Sequence, residues 1–149
     1  MVSVGEKAPD FTLEDGGKNK VSLSQLKGKS VLLAFFPFAF SPVCTNEMTC
    51  FEDDLSELKD LGVHVLGISI DSSWSQKAFA RSLNLTFPLL SDFSKEVCKK
   101  YGTLRLEGFS NRAYFLIDDT GTVKFKHIMQ SPGEKLENAE LFQKIRDVV

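Results

Sequence analysis

The sequence predicts an α/β fold in which a mixed central sheet is flanked by helices. Three observations carry this reading. An apolar run of strand length, Ser30–Phe36, is followed by a helix-start signal at Ser41 and Pro42; a second strand-then-helix unit runs from His64 to Leu83; and two late strand patterns are separated by Asp119, Thr120 and Gly121. Strand, helix, strand order implies parallel pairing, whereas a tight glycine-containing turn implies an antiparallel hairpin, so one sheet must hold both.

Ser30–Phe36 is apolar without alternation, as a central strand covered on both faces should be. Pro37 ends it, and residues 38–40 lead to Ser41 as N-cap and Pro42 at the first helical position. The helix predicted there runs toward Leu61, with Met48, Phe51, Leu55 and Leu58 on one face and Gly62 in a stop position. His64–Ile70 is the next strand. Ser73 and Gln76 make a capping box for a helix through about Leu83, Pro88–Leu90 suits a short strand, and Ser94–Tyr101 a short helix. Ala113–Asp118 and Thr122–Ile128 form the hairpin, and Ser131–Glu134 caps a closing helix. No repeat, low-complexity segment or linker-like stretch divides the chain, so one domain over residues 1–149 is expected. This is the element order of a thioredoxin-like fold with an N-terminal extension.

The 18 Lys and Arg against 20 Asp and Glu give a net charge of −2 with no basic cluster, which argues against a nucleic-acid partner or a polybasic membrane anchor. The start at Met1–Lys7 lacks a signal-peptide pattern and no apolar run is long enough to span a bilayer, so a cytoplasmic address is expected. Thiols are kept reduced there, and three cysteines without short paired spacings favour redox or catalytic use over a disulfide framework. His64 and His127 fall on strand patterns with no ligand-pair spacing, which disfavours a metal site, and Trp74 reads as a packing residue. Without a Rossmann fingerprint or phosphate loop, no nucleotide cofactor is implied.

In open α/β sheets, reactive groups collect where strand carboxyl ends meet helix N-termini, as between Phe36 and Cys44. Cys44 would be the third helical residue, where unpaired N–H groups and the helix dipole favour thiolate over thiol. Singly, Pro37 reads as a strand terminator, Ser41 as a cap, Glu47 as a solvated helix charge and Arg112 as a surface cation.

The segment Pro37–Cys44 resembles the peroxiredoxin family, whose pattern is proline, three residues, threonine or serine, two residues, cysteine; Ser41 is the serine variant. Glu47 occupies the family's acidic position three residues after that cysteine, and Asn111–Asp118 resembles the arginine-containing strand whose guanidinium sits beside the sulfur. Gly5–Phe11 and Val65–Asp71 fit as well, so the resemblance covers nearly the whole chain. The ending Met129–Glu134 places it nearest the bacterioferritin-comigratory and one-cysteine alkyl hydroperoxide reductase E types.

The resemblance implies a cofactor-free, thiol-dependent peroxidase that reduces hydrogen peroxide and organic hydroperoxides through a sulfenic acid at Cys44. Thioredoxin, glutaredoxin or a small thiol would regenerate it, and a homodimer would form along the active-site edge near Phe38 and Phe40. Activating the thiol alone is insufficient, because nucleophilicity falls as the thiolate is stabilised. Donors for the departing oxygen are therefore required, and Arg112, the Ser41 hydroxyl and the N–H groups of Val43 and Cys44 are available. Pro37 and Pro42 would shape and dry the loop, and Glu47 would orient the arginine. Cys50 and Cys98 are the internal resolving candidates, beside an external thiol. A Cys44–Cys50 disulfide would require helix unwinding, and the six-position spacing departs by one from the five common among bacterioferritin-comigratory proteins. The competing readings are a thiol-disulfide oxidoreductase, which normally needs the absent Cys-x-x-Cys, and a redox-sensing thiol protein.

Overall fold

A computed structural model describes residues 2–149; Met1 lies outside the described residues. Seven strands form one sheet: β1 (Thr12–Asp15), β2 (Lys20–Ser22), β3 (Ser30–Phe35), β4 (Val63–Ser69), β5 (Leu89–Ser91), β6 (Ala113–Ile117) and β7 (Val123–Ile128), in the order β2-β1-β5-β4-β3-β6-β7. β3, β4 and β5 are mutually parallel, β6 pairs antiparallel with β3 and β7 antiparallel with β6, and the N-terminal hairpin β1–β2 closes the other edge, with β1 antiparallel to β5. The expected mixed sheet is present. The N-terminal extension proves to be part of it.

Helices α1 (Pro42–Asp53), α2 (Leu55–Asp60), α3 (Ser73–Ser82), α4 (Glu96–Tyr101) and α5 (Asn138–Arg146) cover the sheet. Side chains alternate along β3: Leu32, Ala34 and Phe36 join the core beneath α1, α2, α3 and α5, whereas Val31, Leu33 and Phe35 join the core beneath α4. The sheet thus separates two apolar clusters. Cys44 belongs to the first and Cys98 to the second.

Several boundaries differ from the sequence reading. The helix expected to continue to Leu61 breaks at Asp54, where Asn138 donates to both the Cys50 carbonyl at 2.9 Å and the Asp54 carboxylate at 3.0 Å. α3 is capped by Ser72, whose hydroxyl accepts from the Ser75 N–H at 3.2 Å, so there is no Ser73–Gln76 capping box. Gln76 is buried instead. α4 starts at Glu96 rather than Ser94, with the Asp92 carboxylate accepting from the N–H groups of Val97 and Cys98. The closing helix begins at Asn138 rather than at Ser131, and residues 129–137 form a strap over the end of the sheet. Trp74 packs little: it is 70% exposed, with Lys18 Nζ 3.8 Å above its ring. Among the described residues, no helix is long and apolar enough to cross a membrane.

Candidate active site

Phe35 pairs with Ala113, so the chain leaving β3 toward Cys44 and the chain entering β6 from Arg112 meet at one end of the sheet. α1 buries Cys44, Glu47, Met48 and Phe51, a helical stripe that turns both the thiol and the carboxylate toward β6. Arg112 and Tyr114 are two residues apart and therefore project from the same face. Strand and helix thus bring four chemistry-bearing side chains into one buried cluster.

The Arg112 guanidinium organises that cluster. Its Nη2 donates to Cys44 Sγ at 3.2 Å and to the Pro132 carbonyl at 3.0 Å, while Nη1 donates to Glu47 Oε1 at 2.8 Å. Glu47 Oε2 accepts a short bond from the Tyr114 hydroxyl, whose oxygen in turn accepts the Leu136 N–H at 3.2 Å. Cys44, Glu47, Arg112 and Tyr114 are all buried, so Glu47 is not the solvated charge it resembles in isolation, nor Arg112 a surface cation. Burial raises the Glu47 carboxyl above its ordinary range, and Arg112, then Tyr114, pull against that rise. With both oxygens accepting, the carboxylate is the form that fits. Burial opposes the charge on Arg112, but Glu47 and Cys44 outweigh it and hold its pKa above the usual value. Burial, then Glu47, also pushes the Tyr114 phenol up, so it remains a donor. Among the described residues Arg112 Nε has no hydrogen-bond partner.

The approach to Cys44 is equally constrained. Pro37 is buried, and Phe40 takes a left-handed backbone conformation (φ 68°) that a bulky residue rarely adopts. Ser41 occupies the N-cap position through its backbone, but its hydroxyl makes no cap bond and donates to the Phe38 carbonyl at 3.0 Å. This corrects the expectation of a side-chain cap. The helical ladder opens with the Thr45 N–H on the Ser41 carbonyl at 2.9 Å, so the N–H groups of Val43 and Cys44 precede it.

The other two cysteines stand apart from this cluster. Cys50 lies on the same unbroken helix as Cys44, and six residues of helix separate Cα atoms by about 10 Å, beyond the roughly 7 Å that a disulfide spans. Cys98 is buried on the opposite face of the sheet. Burial, then Asp92, pushes its thiol up to about 12.

A family model described as the AhpC/TSA family matches residues 4–126. The chain belongs to that family. It is 42% identical over 130 residues to the peroxiredoxin bcp of Coxiella burnetii, spanning 82% of this chain and 85% of that protein. It is 39% identical over 138 residues to alkyl hydroperoxide reductase E of Mycobacterium tuberculosis, spanning 90% of each. The crystal structure of peroxidoxin BcpB from Mycobacterium tuberculosis superposes with a TM-score of 0.89 at 28% identity, covering 100% of this chain and 99% of that one. The protein is therefore a peroxiredoxin of thioredoxin-like fold, a thiol-dependent peroxidase, and the thiol-disulfide oxidoreductase reading is not favoured.

Sequence reasoning missed two parts of the peroxiredoxin's site. Tyr114 supplies the second donor to Glu47, and its signal was available: a hydroxyl two residues from Arg112 on an otherwise apolar strand. The Pro132 carbonyl, which takes part of the Arg112 charge, carries no local signature because the strap brings it there from beyond β7.

Proposed function

We propose that Cys44 is the residue that attacks the peroxide, with Arg112 as the principal donor to the reacting atoms. The observation that carries this reading is the distance of 3.2 Å between Arg112 Nη2 and Cys44 Sγ, both on buried side chains. The sulfur donates an electron pair to one peroxide oxygen, an S–O bond forms as the O–O bond breaks, and the departing oxygen takes a proton to leave as water or alcohol. Arg112, together with the Val43 and Cys44 N–H groups, stabilises the charge that develops on that oxygen. Glu47, held by Tyr114, orients Arg112. Buried Pro37 excludes water, exposed Pro42 starts α1, and the Ser41 hydroxyl, now on the Phe38 carbonyl, turns toward the bound peroxide. Hydrogen peroxide and organic hydroperoxides both fit this chemistry.

The resulting sulfenic acid is resolved by an external thiol, such as thioredoxin, glutaredoxin or a small thiol. That thiol's sulfur bonds Cys44 with loss of water, and a second thiol then releases reduced Cys44 and a disulfide. Support comes from the separation of Cys44 from Cys50 along α1 and from the placement of Cys98 across the sheet. The exposed portions of Phe38 and Phe40, with fully exposed Leu106 in the turn beside Phe109, favour pairing of two copies along this edge. The chain acts as one domain in the cytoplasm.

Mass spectrometry after one equivalent of peroxide, with a sulfenic-acid trap, tests the reading. Trapped oxidation at Cys44, together with loss of turnover in folded Cys44→Ser protein, is the expected result. Oxidation at another cysteine would overturn it.

A further inference from the structure

The loop ahead of Cys44 is tied down by a residue outside the cluster. Asp71 Oδ2 accepts the Ala39 N–H at 2.8 Å, the only side-chain bond to the backbone of residues 38–40 among the described residues other than Ser41 on Phe38. The same oxygen accepts the Ser69 hydroxyl at 2.5 Å, and Gln76 Nε2 donates to that hydroxyl at 2.8 Å. These bonds have one direction. Gln76 Nε2 also donates to the Leu90 carbonyl at 2.8 Å, which fixes the amide orientation. The Ser69 oxygen therefore receives from Gln76 and must spend its own proton on Asp71. The Asp71 backbone is held as well, its N–H donating to the Ser69 oxygen at 3.4 Å and its carbonyl accepting the Ser91 hydroxyl at 2.6 Å. A chain of hydrogen bonds rooted in β5 and α3, buried at Gln76 and Ser69 and half-buried at Asp71, thus ends on the N–H of Ala39.

What that N–H holds is a loop under strain. Ala39 is followed by Phe40 with its left-handed backbone, then by Ser41 and the first turn of α1. Phe40 packs its ring against Phe79 at a centroid distance of 5.1 Å and remains more than half exposed. If the Ala39 bond were released, Phe40 could relax to the ordinary backbone region and shift both the Phe38 carbonyl that binds Ser41 and the Val43 and Cys44 N–H groups.

We propose that Asp71 is a positioning residue for the peroxidase reaction, which holds the 37–41 loop in its strained, reactive form through Ala39. This rests on the reading of Cys44 as the peroxide-attacking residue. Displacements of about 1 Å around reacting groups cost rates on the order of a hundredfold, so loss of the tether should be visible in the peroxide step. Asn at position 71 keeps an acceptor oxygen for both donors; Ala does not.

The experiment compares wild type, Asp71→Asn and Asp71→Ala by stopped-flow reaction with hydrogen peroxide and, separately, by alkylation of Cys44 with iodoacetamide. Thermal unfolding and oxidised-peptide mass spectrometry accompany both. The expected result is a peroxide rate about tenfold or more lower in Asp71→Ala, with alkylation and the unfolding temperature little changed, and most of the rate restored in Asp71→Asn. A merely structural role would lower the peroxide rate in step with thermal stability while opening the buried thiol and speeding its alkylation, and would overturn the proposal. So would an Asp71→Ala peroxide rate within about threefold of wild type. Oxidation of wild-type protein at a cysteine other than Cys44 would instead remove the reading on which the proposal rests, and the proposal with it.

Discussion

Arg112 reaches across 68 residues of sequence to place Nη2 3.2 Å from the Cys44 sulfur. Its other terminal nitrogen is committed to Glu47 at 2.8 Å, so the guanidinium is aimed by one anion at the other. The pair is buried, and this decides how Arg112 must be tested.

Arg112→Met alone strands the Glu47 carboxylate without its counter-ion, and breaking such a buried pair costs about 3–5 kcal/mol. The single variant therefore confounds folding with chemistry. Arg112→Met combined with Glu47→Gln removes both charges and should recover most of the stability in denaturant titration. The peroxide rate at fixed pH should nevertheless stay down by about a hundredfold, the scale of losing a preorganised donor. A loss fully explained by the measured thiolate fraction would count against the charge-stabilising role.

Tyr114→Phe deletes a hydroxyl that donates to Glu47 and accepts from Leu136. One buried carboxylate oxygen and one N–H lose their partner, a cost of about 1–3 kcal/mol. Amide exchange at Leu136 and through the 129–137 strap should accelerate relative to β6. Unchanged exchange in that segment would mean that the strap is held by other contacts.

The parts of the fold and site that could be read in the sequence are those whose determinants lie close together in the chain. β3, Pro37, the Ser41–Pro42 helix start and the Gly121 turn are each specified by neighbours within a few residues, and each lies where those neighbours place it. The break at Asp54 depends on Asn138, 84 residues away, and neither proline nor glycine announces it. Gln76 has the right spacing from Ser73 for a capping box, but its amide satisfies Ser69 and Leu90 in the interior. The placement of Arg112 and Glu47 near the sulfur was implied by family resemblance; their burial and the contribution of Tyr114 required the packing of α1 against β6.

Cys50→Ser combined with Cys98→Ser should retain peroxide turnover when a small thiol is the reductant. Cys50 gives its backbone carbonyl to Asn138 and its thiol to Asn46 Oδ1 at 3.9 Å, roles a serine hydroxyl and carbonyl can fill, and Cys98 sits among polar partners that accept a hydroxyl. Turnover lost in the double variant, together with a Cys44–Cys50 or Cys44–Cys98 disulfide in peroxide-treated wild type, would show internal resolution instead.

The last prediction concerns Cys98, whose thiol is pushed up to about 12 by burial and then by Asp92. An unfolded cysteine ionises near about 8.5, so between these values the native state holds a proton that the unfolded state has lost. The sign follows: the contribution is fully present below about pH 8.5 and is lost as pH rises toward the folded value. Cys98→Ala removes the titration and adds a cavity cost that does not depend on pH. The stability advantage of wild type over Cys98→Ala should therefore shrink by about 2–3 kcal/mol between pH 8 and pH 10.5, about two units at 1.36 kcal/mol each. Paired denaturant titrations at the two pH values measure it, and other alkaline groups cancel in the difference. A constant gap would mean that Cys98 ionises in the folded protein as readily as in the unfolded chain, and would reopen its candidacy as a reactive thiol.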